Sequence, residues 1–307
     1  MLFRSINGDE LIKRFKERKE VAVVAGFQGI HKGTGSITTL GRGGSDTSAV
    51  AVAAAIHADR CDIYTDVDGV YTTDPRVVPK AKRMDKISFE EMLELASLGA
   101  KVLQVRSVEL GMVHKVKIFV RSSFDKPEDI DPHGTPPGTL ICDEEDIVEQ
   151  QVVTGIAFSK DEAQISVRHV PDKPGVAAAI FGPLAESSIN VDMIVQNVSA
   201  DGSTTDLTFT VPSVDYKRSV DVLNKAKSTI GFDHIDGSTD VAKVSVIGIG
   251  MRSHAGVAAE AFNALAGRGV NIRAITTSEI KFSVLIDEAY TELAVRTLHS
   301  LYGLDKG

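Results

Sequence analysis

The 307-residue sequence contains only two cysteines, Cys61 and Cys142, which are far apart and lack metal-ligand spacing. This scarcity argues against a disulfide framework and predicts a cytoplasmic protein without a structural metal. Long apolar runs are missing too, because the run from Val50 breaks at His57, short of the ~18 to 20 residues that cross a bilayer. Basic residues are outnumbered, 34 Lys and Arg against 42 Asp and Glu, and they form no stripe. Neither nucleic acid nor a membrane is therefore expected as a partner.

The first half of the chain alternates helical periods with short β-branched runs. This alternation predicts an α/β domain with a largely parallel sheet covered by helices. Residues 125–141 are rich in Pro, Gly and Asp and predict a closing loop, followed by an acidic connector over 143–149. The predicted elements are a helix over 7–19, a buried strand over 20–27, a helix after Gly44, a strand over 61–67, helices over 88–98 and 101–112, and a strand over 116–122.

The second half contains an internal repeat. "PGVAAAIFGPLAESSINVDMIVQN", from Pro174, matches "AGVAAEAFNALAGRGVNIRAITTS", from Ala255. A strand precedes each copy, over 164–170 and 243–249, and two strands follow it. The first copy continues with a helix over 215–230 and a short strand near 232–235. This order, β-α-β-β-α-β, predicts two small ferredoxin-like domains.

The second copy of the repeat lacks its last strand, and a strand predicted at Val152 to Ser159 is free to supply it. We therefore expect the first repeat to be inserted in the second. The predicted boundaries are 1–149 for the first domain, 164–238 for the first repeat, and 150–163 plus 239–307 for the second repeat.

A glycine-rich segment, "TLGRGGSDTSA" from Thr39, precedes the apolar helix. Its glycines let backbone N–H groups approach a ligand, and Ser45, Asp46 or Thr47 can cap the helix. A helix N-terminus favours an anion, Arg42 offers a fork of donors for a carboxylate or phosphate, and Asp46 could bind an ammonium. These features predict an amino-acid or phosphate pocket, and a plain strand-to-helix turn explains the glycines equally well.

The segment "YTDVDGVYTTDPR", from Tyr64 to Arg76, follows the predicted strand over 61–67. Ligands of open α/β sheets collect at the carboxyl ends of strands, so threonines and backbone groups here could bind a nucleotide, and Arg76 its phosphates. The alternative is a pair of ordinary turns at Asp-Gly and Asp-Pro.

The segment "LASLGAKVLQVRSVELG" places Lys101 at a predicted helix start, after Gly99. The helix dipole disfavours a cation there unless an anion, such as a nucleotide phosphate, lies nearby. An ordinary surface lysine is the alternative.

In this order, "GFQGI", "TLGRGGSDTSA", "YTDVDGVYTTDPR" and "GAKVLQVRSVE" resemble the aspartate kinases of the amino acid kinase family. The repeat, with "VPDKPGVAAAIFGPLAESSINVDMIVQNVS" and "SHAGVAAEAFNALAGRGVNIRAITTSE", is similar to the paired ACT domains of those enzymes. The resemblance implies part of a three-layer amino-acid-kinase sheet followed by two ferredoxin-like ACT domains. It covers nearly the whole chain beyond residue 6.

The resemblance implies transfer of the γ-phosphoryl group of ATP, as its Mg²⁺ complex, to the β-carboxylate of L-aspartate. The product is 4-phospho-L-aspartate, for lysine, threonine and methionine synthesis. By resemblance, Arg42 and Ser45 bind aspartate, and Asp46 binds its amino group or orients catalytic lysines. Lys101 neutralises phosphate charge in the transition state. The implied ATP-binding residues are Thr65, Asp66, Tyr71, Thr72, Thr73, Asp74, Pro75, Arg76, Lys101 and Val102.

The resemblance also implies feedback inhibition by lysine, threonine or both at the ACT domains, and homo-oligomers that assemble through them. One implied effector site is lined by Asp172, Gly175, Val176, Ala177, Asn190, Val191, Asp192 and Gln196. The corresponding residues of the second copy are Asn271, Ile272, Thr276 and Glu279.

One departure from the family pattern concerns catalysis. Aspartate kinases begin with a strand and turn of the type Lys-Phe-Gly-Gly, and this motif is absent from the 307 residues. The chain is therefore expected to lack the first β-α units and one catalytic lysine. Loss of one anion-stabilising group costs on the order of 10²- to 10³-fold in rate, so little or no kinase activity is expected. The alternative is a non-catalytic regulatory chain that senses amino acids.

Overall fold

A computed structural model of the chain describes residues 6–31, 33–41, 43–99, 102–130, 136–147 and 151–306. Two compact units are present. The first comprises residues 1–155, 247–250 and 303–307, as far as they are described, and the second comprises 156–246 and 251–302. Both units combine helices with β-sheet, so the predicted α/β class is confirmed. In the described part of the chain, no helix combines the length and apolarity needed to cross a bilayer.

The first unit contains a four-stranded sheet, a separate β-hairpin and four helices. The strand order in the sheet is β3-β5-β6-β4, with parallel pairing of β3 to β5 and of β4 to β6 and antiparallel pairing of β5 to β6. The hairpin joins β1 and β2. The elements are α1 (Asp9–Arg18), β1 (Gln28–Ile30), β2 (Ile37–Thr39), α2 (Gly44–Ala55), β3 (Cys61–Thr65), β4 (Lys86–Ser88), α3 (Phe89–Ser97), α4 (Val105–His114), β5 (Ile118–Ser122) and β6 (Thr139–Cys142).

The second unit contains one six-stranded sheet, in the order β11-β12-β10-β7-β9-β8. The terminal strands of that order, β8 and β11, are in contact with each other, so the sheet curves round on itself. The elements are β7 (Gly155–Pro171), α5 (Val176–Glu186), β8 (Asp192–Val198), β9 (Thr204–Val211), α6 (Tyr216–Lys225), α7 (Lys227–Ile230), β10 (His234–Ile247), α8 (Val257–Ala266), β11 (Ile272–Thr277), β12 (Lys281–Asp287) and α9 (Thr291–Leu301).

Apolar residues at strand and helix periods fill both units. In the first unit, Ile87, Met92, Val108 and Ile118 are fully buried between the sheet and α3 and α4. In the second unit, the strands bury a cluster that includes Ile165 and Phe209 against α5 and α6. Burial of such side chains stabilises each unit by about 1.5–3 kcal/mol per residue, the main favourable term in folding.

A buried carboxylate ties three segments of the first unit together. Glu91, only 4% exposed, forms a capping box with Ser88 at the start of α3. Its Oε1 also accepts hydrogen bonds from the Thr154 hydroxyl at 2.5 Å and from the Ile249 N–H at 3.0 Å. The carboxylate therefore anchors two chain segments that are distant in sequence to one helix N-terminus.

The clearest error of the sequence analysis concerns residues 20–27, predicted as a buried strand. They form no strand, and Val21 and Val23 are 90% and 97% exposed. No described strand pairs with this segment, so its apolar side chains have no neighbouring layer to pack against.

Other predicted elements need smaller corrections. The loop predicted over 125–141 ends in strand β6, and the two strands predicted at 152–159 and 164–170 form the single 17-residue strand β7. The short strand near 232–235 is the beginning of β10, and the helix over 215–230 is divided into α6 and α7. β7 lies between β10 and β9, and the domain boundaries themselves stay a prediction.

Candidate functional site

The glycine-rich turn of the first unit has the backbone that only glycine adopts readily. Gly41 and Gly43 have φ angles of 82° and 70°, and the N–H of Gly44 donates to the Gly41 carbonyl at 3.1 Å. A Cβ on Gly43 would lie 1.8 Å from Cγ of Gln104, so a side chain at this position would force the Gln104 side chain to move. The turn therefore brings the start of α2 directly against the segment that begins α4.

The predicted side-chain cap of α2 is wrong. Gly43 is the N-cap, and no side chain caps the helix, because Ser45, Asp46 and Thr47 already lie in its first turn. The Ser45 hydroxyl instead donates to Asp46 Oδ1 at 3.3 Å. Among the described residues no side chain caps this end through the N-cap position, so the positive end of the α2 dipole is directed at any ligand bound there.

A cavity of about 390 Å³ lies where the N-termini of α2 and α4 meet. Helix α4 also has no side-chain cap at Gln104. Two positive helix ends directed at one cavity favour an anion, and Arg106 in its wall adds a guanidinium. The lining residues are Leu40, Gly41, Gly44, Thr47, Gln104, Val105 and Arg106.

Asp46 is a half-buried carboxylate next to this cavity. Burial raises its pKa above the ordinary value, and hydrogen bonds from the Ser45 hydroxyl and the Gln104 N–H partly offset that rise. A cationic partner would favour the ionised form further, because opposite charges stabilise each other where water is excluded. The site therefore suits a ligand that carries both an anionic and a cationic group.

Arg42 and Lys101, the two predicted cationic residues of the site, lie outside the described residues. The helix predicted to begin at Lys101 begins instead at Val105. Gln104 and Arg106 were not among the predicted residues, because their position at the cavity depends on where the helix starts. Val102 is half-buried in the turn that precedes α4.

The predicted nucleotide segment begins at the carboxyl end of β3. Thr65 is half-buried, its hydroxyl donates to Asp66 at 3.2 Å, and its carbonyl accepts the Ser123 N–H at 2.8 Å. These contacts fix the strand end at the edge of the sheet where parallel-sheet ligands usually bind.

The rest of this segment folds back on itself. Tyr71 pairs with Arg83 across an antiparallel bridge, and its hydroxyl donates to Asp68 at 3.1 Å. Thr72 and Thr73 are buried, and the Thr73 hydroxyl has no hydrogen-bond partner among the described residues.

Arg76, the predicted phosphate ligand, is 89% exposed and forms a two-pronged pair with Asp74, with Nη2 to Oδ2 at 2.7 Å. Hydrogen bonds from Arg76 hold the pKa of Asp74 below its ordinary value. Pro75 between them is exposed. This pair at the surface would have to open before Arg76 could bind a phosphate.

The predicted effector residues lie in the second unit. Gly175 and Gly256 have φ angles of 91° and 99° and cap the starts of α5 and α8, so the two repeats begin their helices in the same way. Contact between β8 and β11 brings together the strands that carry Asp192 and Gln196 of the first predicted set and Ile272 and Thr276 of the second. Exposed members are Asp172, Gly175, Ala177, Asn190, Asp192, Gln196, Asn271 and Glu279, and Val176, Val191, Ile272 and Thr276 are buried or half-buried.

Asp192 already has a strong partner. The ammonium of Lys243, which is 6% exposed, lies 2.7 Å from Asp192 Oδ2 and 2.7 Å from Glu162 Oε1. Burial alone would raise the pKa of Asp192, and the hydrogen bond and charge of Lys243 outweigh it and lower that pKa. An effector that binds Asp192 must therefore share the carboxylate with this lysine.

Three family matches cover most of the chain. Residues 3–122 match the amino acid kinase family, and residues 163–231 and 244–302 each match an ACT domain. An aspartokinase of Pseudomonas aeruginosa is 57% identical over 287 residues, which are 93% of this chain and 67% of that protein.

Two solved structures of E. coli aspartokinase III are also similar. The complex with aspartate and ADP in the R-state has a TM-score of 0.72 and 32% identity, over 90% of this chain and 59% of that one. The T-state complex with lysine and aspartate has a TM-score of 0.67 and 33% identity, over 91% and 59%. Sequence and fold agree, and the chain belongs to the aspartate kinase family.

Proposed function

We propose that the site transfers the γ-phosphoryl group of MgATP to the β-carboxylate of L-aspartate, giving 4-phospho-L-aspartate, as the first step towards lysine, threonine and methionine. The observation that carries this proposal is the cavity between the N-termini of α2 and α4, beside the half-buried Asp46. The two carboxylates of L-aspartate match the two anion-binding helix ends, and its ammonium group matches the carboxylate of Asp46. The two free, buried cysteines support a cytoplasmic location.

In this proposal Arg42 and Ser45 bind the α-carboxylate and Asp46 binds the α-ammonium group. The hydrogen bond from the Gln104 N–H opposes the effect of burial, which raises the pKa of Asp46, and so favours the ionised form for that role. The β-carboxylate is a ready nucleophile, because it is ionised at neutral pH, and the protein has to position it and neutralise charge. Arg106 extends the predicted set, since it lines the same cavity.

MgATP enters as a substrate complex at the carboxyl end of β3. Thr65, Asp66 and the segment from Tyr71 to Arg76, including Thr72, Thr73, Asp74 and Pro75, form its site, with Lys101 and Val102 next to the phosphates. The buried hydroxyl of Thr73, with no partner among the described residues, supports a ligand here. Arg76 exchanges Asp74 for a phosphate when nucleotide binds.

Regulation belongs to the second unit in this proposal. The first ACT domain is inserted in the second, and lysine, threonine or both bind along β8 and β11 at the residues named above. The E. coli enzyme bound to lysine supports this assignment by similarity. Homo-oligomers form through the ACT domains.

The 307-residue polypeptide itself turns over slowly or not at all in this proposal. Residues 20–27 form no strand, so an apolar segment that the amino-acid-kinase pattern places in the sheet stays exposed. The same observation favours the second candidate function, a non-catalytic chain that senses amino acids.

Calorimetric titration tests the aspartate site even where turnover is low. Asp46→Asn should weaken L-aspartate binding about 10- to 100-fold, because a hydrogen bond between charged groups contributes about 1.5–3 kcal/mol. Asp59→Asn is the matched control, since Asp59 is an exposed carboxylate after the same helix. Equal affinity of the Asp46→Asn and parent chains would overturn the assignment.

Two further measurements separate the candidates. A chain that binds lysine or threonine, and neither aspartate nor MgATP, is the regulatory chain of the second candidate. An assay of ADP release with ATP and aspartate should give little signal, and rapid release would refute the proposed inactivity while supporting the kinase assignment.

A further inference from the structure

Three side chains of the second unit, unused by the proposed reaction, place metal-ligating atoms together. His169, Asp233 and His234 each offer one ligand atom, and these atoms lie within 4.8 Å of one another. All three side chains are exposed. Among the His, Cys, Asp and Glu residues that the structure describes, this is the only group of three with that geometry.

The backbone of two neighbouring strands builds this cluster. The Asp233 N–H donates to the Arg168 carbonyl at 3.0 Å, which joins the end of β7 to the start of β10. A register shift between Val167 and Val170 makes a bulge in β7, and His169 within it has a φ of 52°. A bulge redirects a side chain that would otherwise follow the strand alternation.

The unusual conformation of His169 is held from below by β9. Its N–H donates to Asp206 Oδ1 at 2.8 Å. The left-handed backbone of His169 destabilises the fold by on the order of 1 kcal/mol, and the surrounding contacts offset this strain while they hold the imidazole near His234.

A positive charge beside the cluster is neutralised by neighbouring carboxylates, so it does not oppose binding of a cation. The Arg168 guanidinium is neutralised by two carboxylates, Asp206 and Asp236, each at 2.9 Å. The Lys227 ammonium binds the carbonyl of Asp233 and leaves the carboxylate of that residue to face the two imidazoles.

We propose that His169, Asp233 and His234 form a binding site for a first-row divalent metal ion of the Zn²⁺ type. Two imidazoles and a carboxylate are the three-ligand set of open zinc sites, with water in the fourth position. Neighbouring ligand atoms of a tetrahedral zinc ion lie about 3.3 Å apart, from Zn–N distances of about 2.0–2.1 Å. His234 Nδ1 and Asp233 Oδ2 are already 2.9 Å apart, so rotation of the exposed side chains completes the site.

The outer contacts specify which nitrogen of His234 binds. His234 Nε2 lies 3.6 Å from Asp236 Oδ1. A proton on Nε2 directed at Asp236 leaves Nδ1 free for the metal, which is the common carboxylate–histidine–metal arrangement. The bound ion would join the bulge of β7 to the start of β10. His169 in that bulge lies three residues before Asp172, a predicted effector residue.

The test is calorimetric titration of the full chain, freed of any affinity tag, with ZnCl₂. We expect one ion per chain for the parent, and at least a tenfold weaker affinity for His169→Asn and for His234→Ala, since even outer partners of a metal change affinity 10- to 100-fold. Asparagine tolerates the left-handed backbone of residue 169, which keeps the variant folded. MgCl₂ should not compete, because Mg²⁺ prefers oxygen ligands in octahedral geometry.

His57→Asn is the matched control. His57 is also an exposed histidine with a φ of 53°, and it belongs to no described ligand cluster. Its replacement should leave zinc affinity unchanged. Absence of stoichiometric binding by the parent chain, or equal zinc affinity in the parent, His169→Asn and His234→Ala chains, would overturn the proposal, and neither result bears on the kinase assignment.

Discussion

Replacement of Glu91 by alanine should destabilise the first unit more than any single surface change. The carboxylate accepts hydrogen bonds from four donors: the Ser88 N–H at 3.3 Å and hydroxyl at 2.9 Å, the Thr154 hydroxyl at 2.5 Å and the Ile249 N–H at 3.0 Å. The two hydroxyls can rotate to other acceptors, and the two N–H groups cannot. Each buried donor left without a partner costs about 1–3 kcal/mol, so the two N–H groups give an expected loss of about 2–6 kcal/mol for Glu91→Ala.

Urea unfolding of the whole chain, followed by far-ultraviolet circular dichroism, measures this loss. Glu91→Gln keeps one carbonyl acceptor and points an amide NH₂ at a donor, so about 1–3 kcal/mol should be lost. Glu109→Ala, an exposed glutamate on α4, should stay within about 0.5 kcal/mol of the parent. A Glu91→Ala chain as stable as the Glu109→Ala chain would refute the reasoning that Glu91 anchors the three segments.

Four other outcomes follow from the geometry. Gly43→Ala should weaken aspartate binding, because its Cβ would displace the Gln104 side chain at the cavity and residue 43 has a φ of 70°. Gly35→Ala, with φ 69° and open space, should cost only about 1 kcal/mol and bind normally, and calorimetry distinguishes the two variants. Lys243→Met should lower the free energy of unfolding by about 3–5 kcal/mol, since the buried carboxylate of Glu162 loses its partner. Folding lowers the pKa of Asp192, so the ionised carboxylate stabilises the parent chain above about pH 4, and this stabilisation fades as the pH falls further. Measuring the free energy of unfolding as a function of acid pH checks this. Burial raises the pKa of Cys61 to about 11, so this thiol should resist a thiol reagent at pH 8 until denaturant is added, and rapid labelling of the native chain would contradict that burial.

The sequence predicted elements well where a periodic pattern coincided with local signals. Helices α2 and α3 were found because apolar residues recur at helical spacing after glycine or Ser88, and Ser88 with Glu91 forms the capping box that such a start requires. The repeat in the second half predicted the paired helices α5 and α8 for the same reason.

The errors arose where tertiary contacts determine whether a segment forms a strand, where a helix begins, or which residues lie together. "EVAVVAGF" has the composition of a buried strand, and only a neighbouring strand could make it one. Gln104 and Arg106 were not predicted because nothing in "GAKVLQVRSVE" marks residue 105 as the helix start. Gln104 is the N-cap residue, but its side chain forms no capping hydrogen bond that the sequence could have indicated. The cation site at His169 was invisible too, since a bulge in β7 and the pairing of β7 with β10 assemble residues 64 positions apart.

The long strands β7 and β10 have a consequence for how the second unit responds to heat and to ligands. Each spans both sequence repeats, with 17 and 14 residues, and they are neighbours at the centre of the sheet. Neither repeat can lose its sheet without breaking the backbone ladder of the other, so the two repeats form one cooperative folding unit. An effector that binds one repeat, as proposed, should therefore protect amide protons in both, and slow hydrogen exchange should rise and fall together along the whole length of the shared strands.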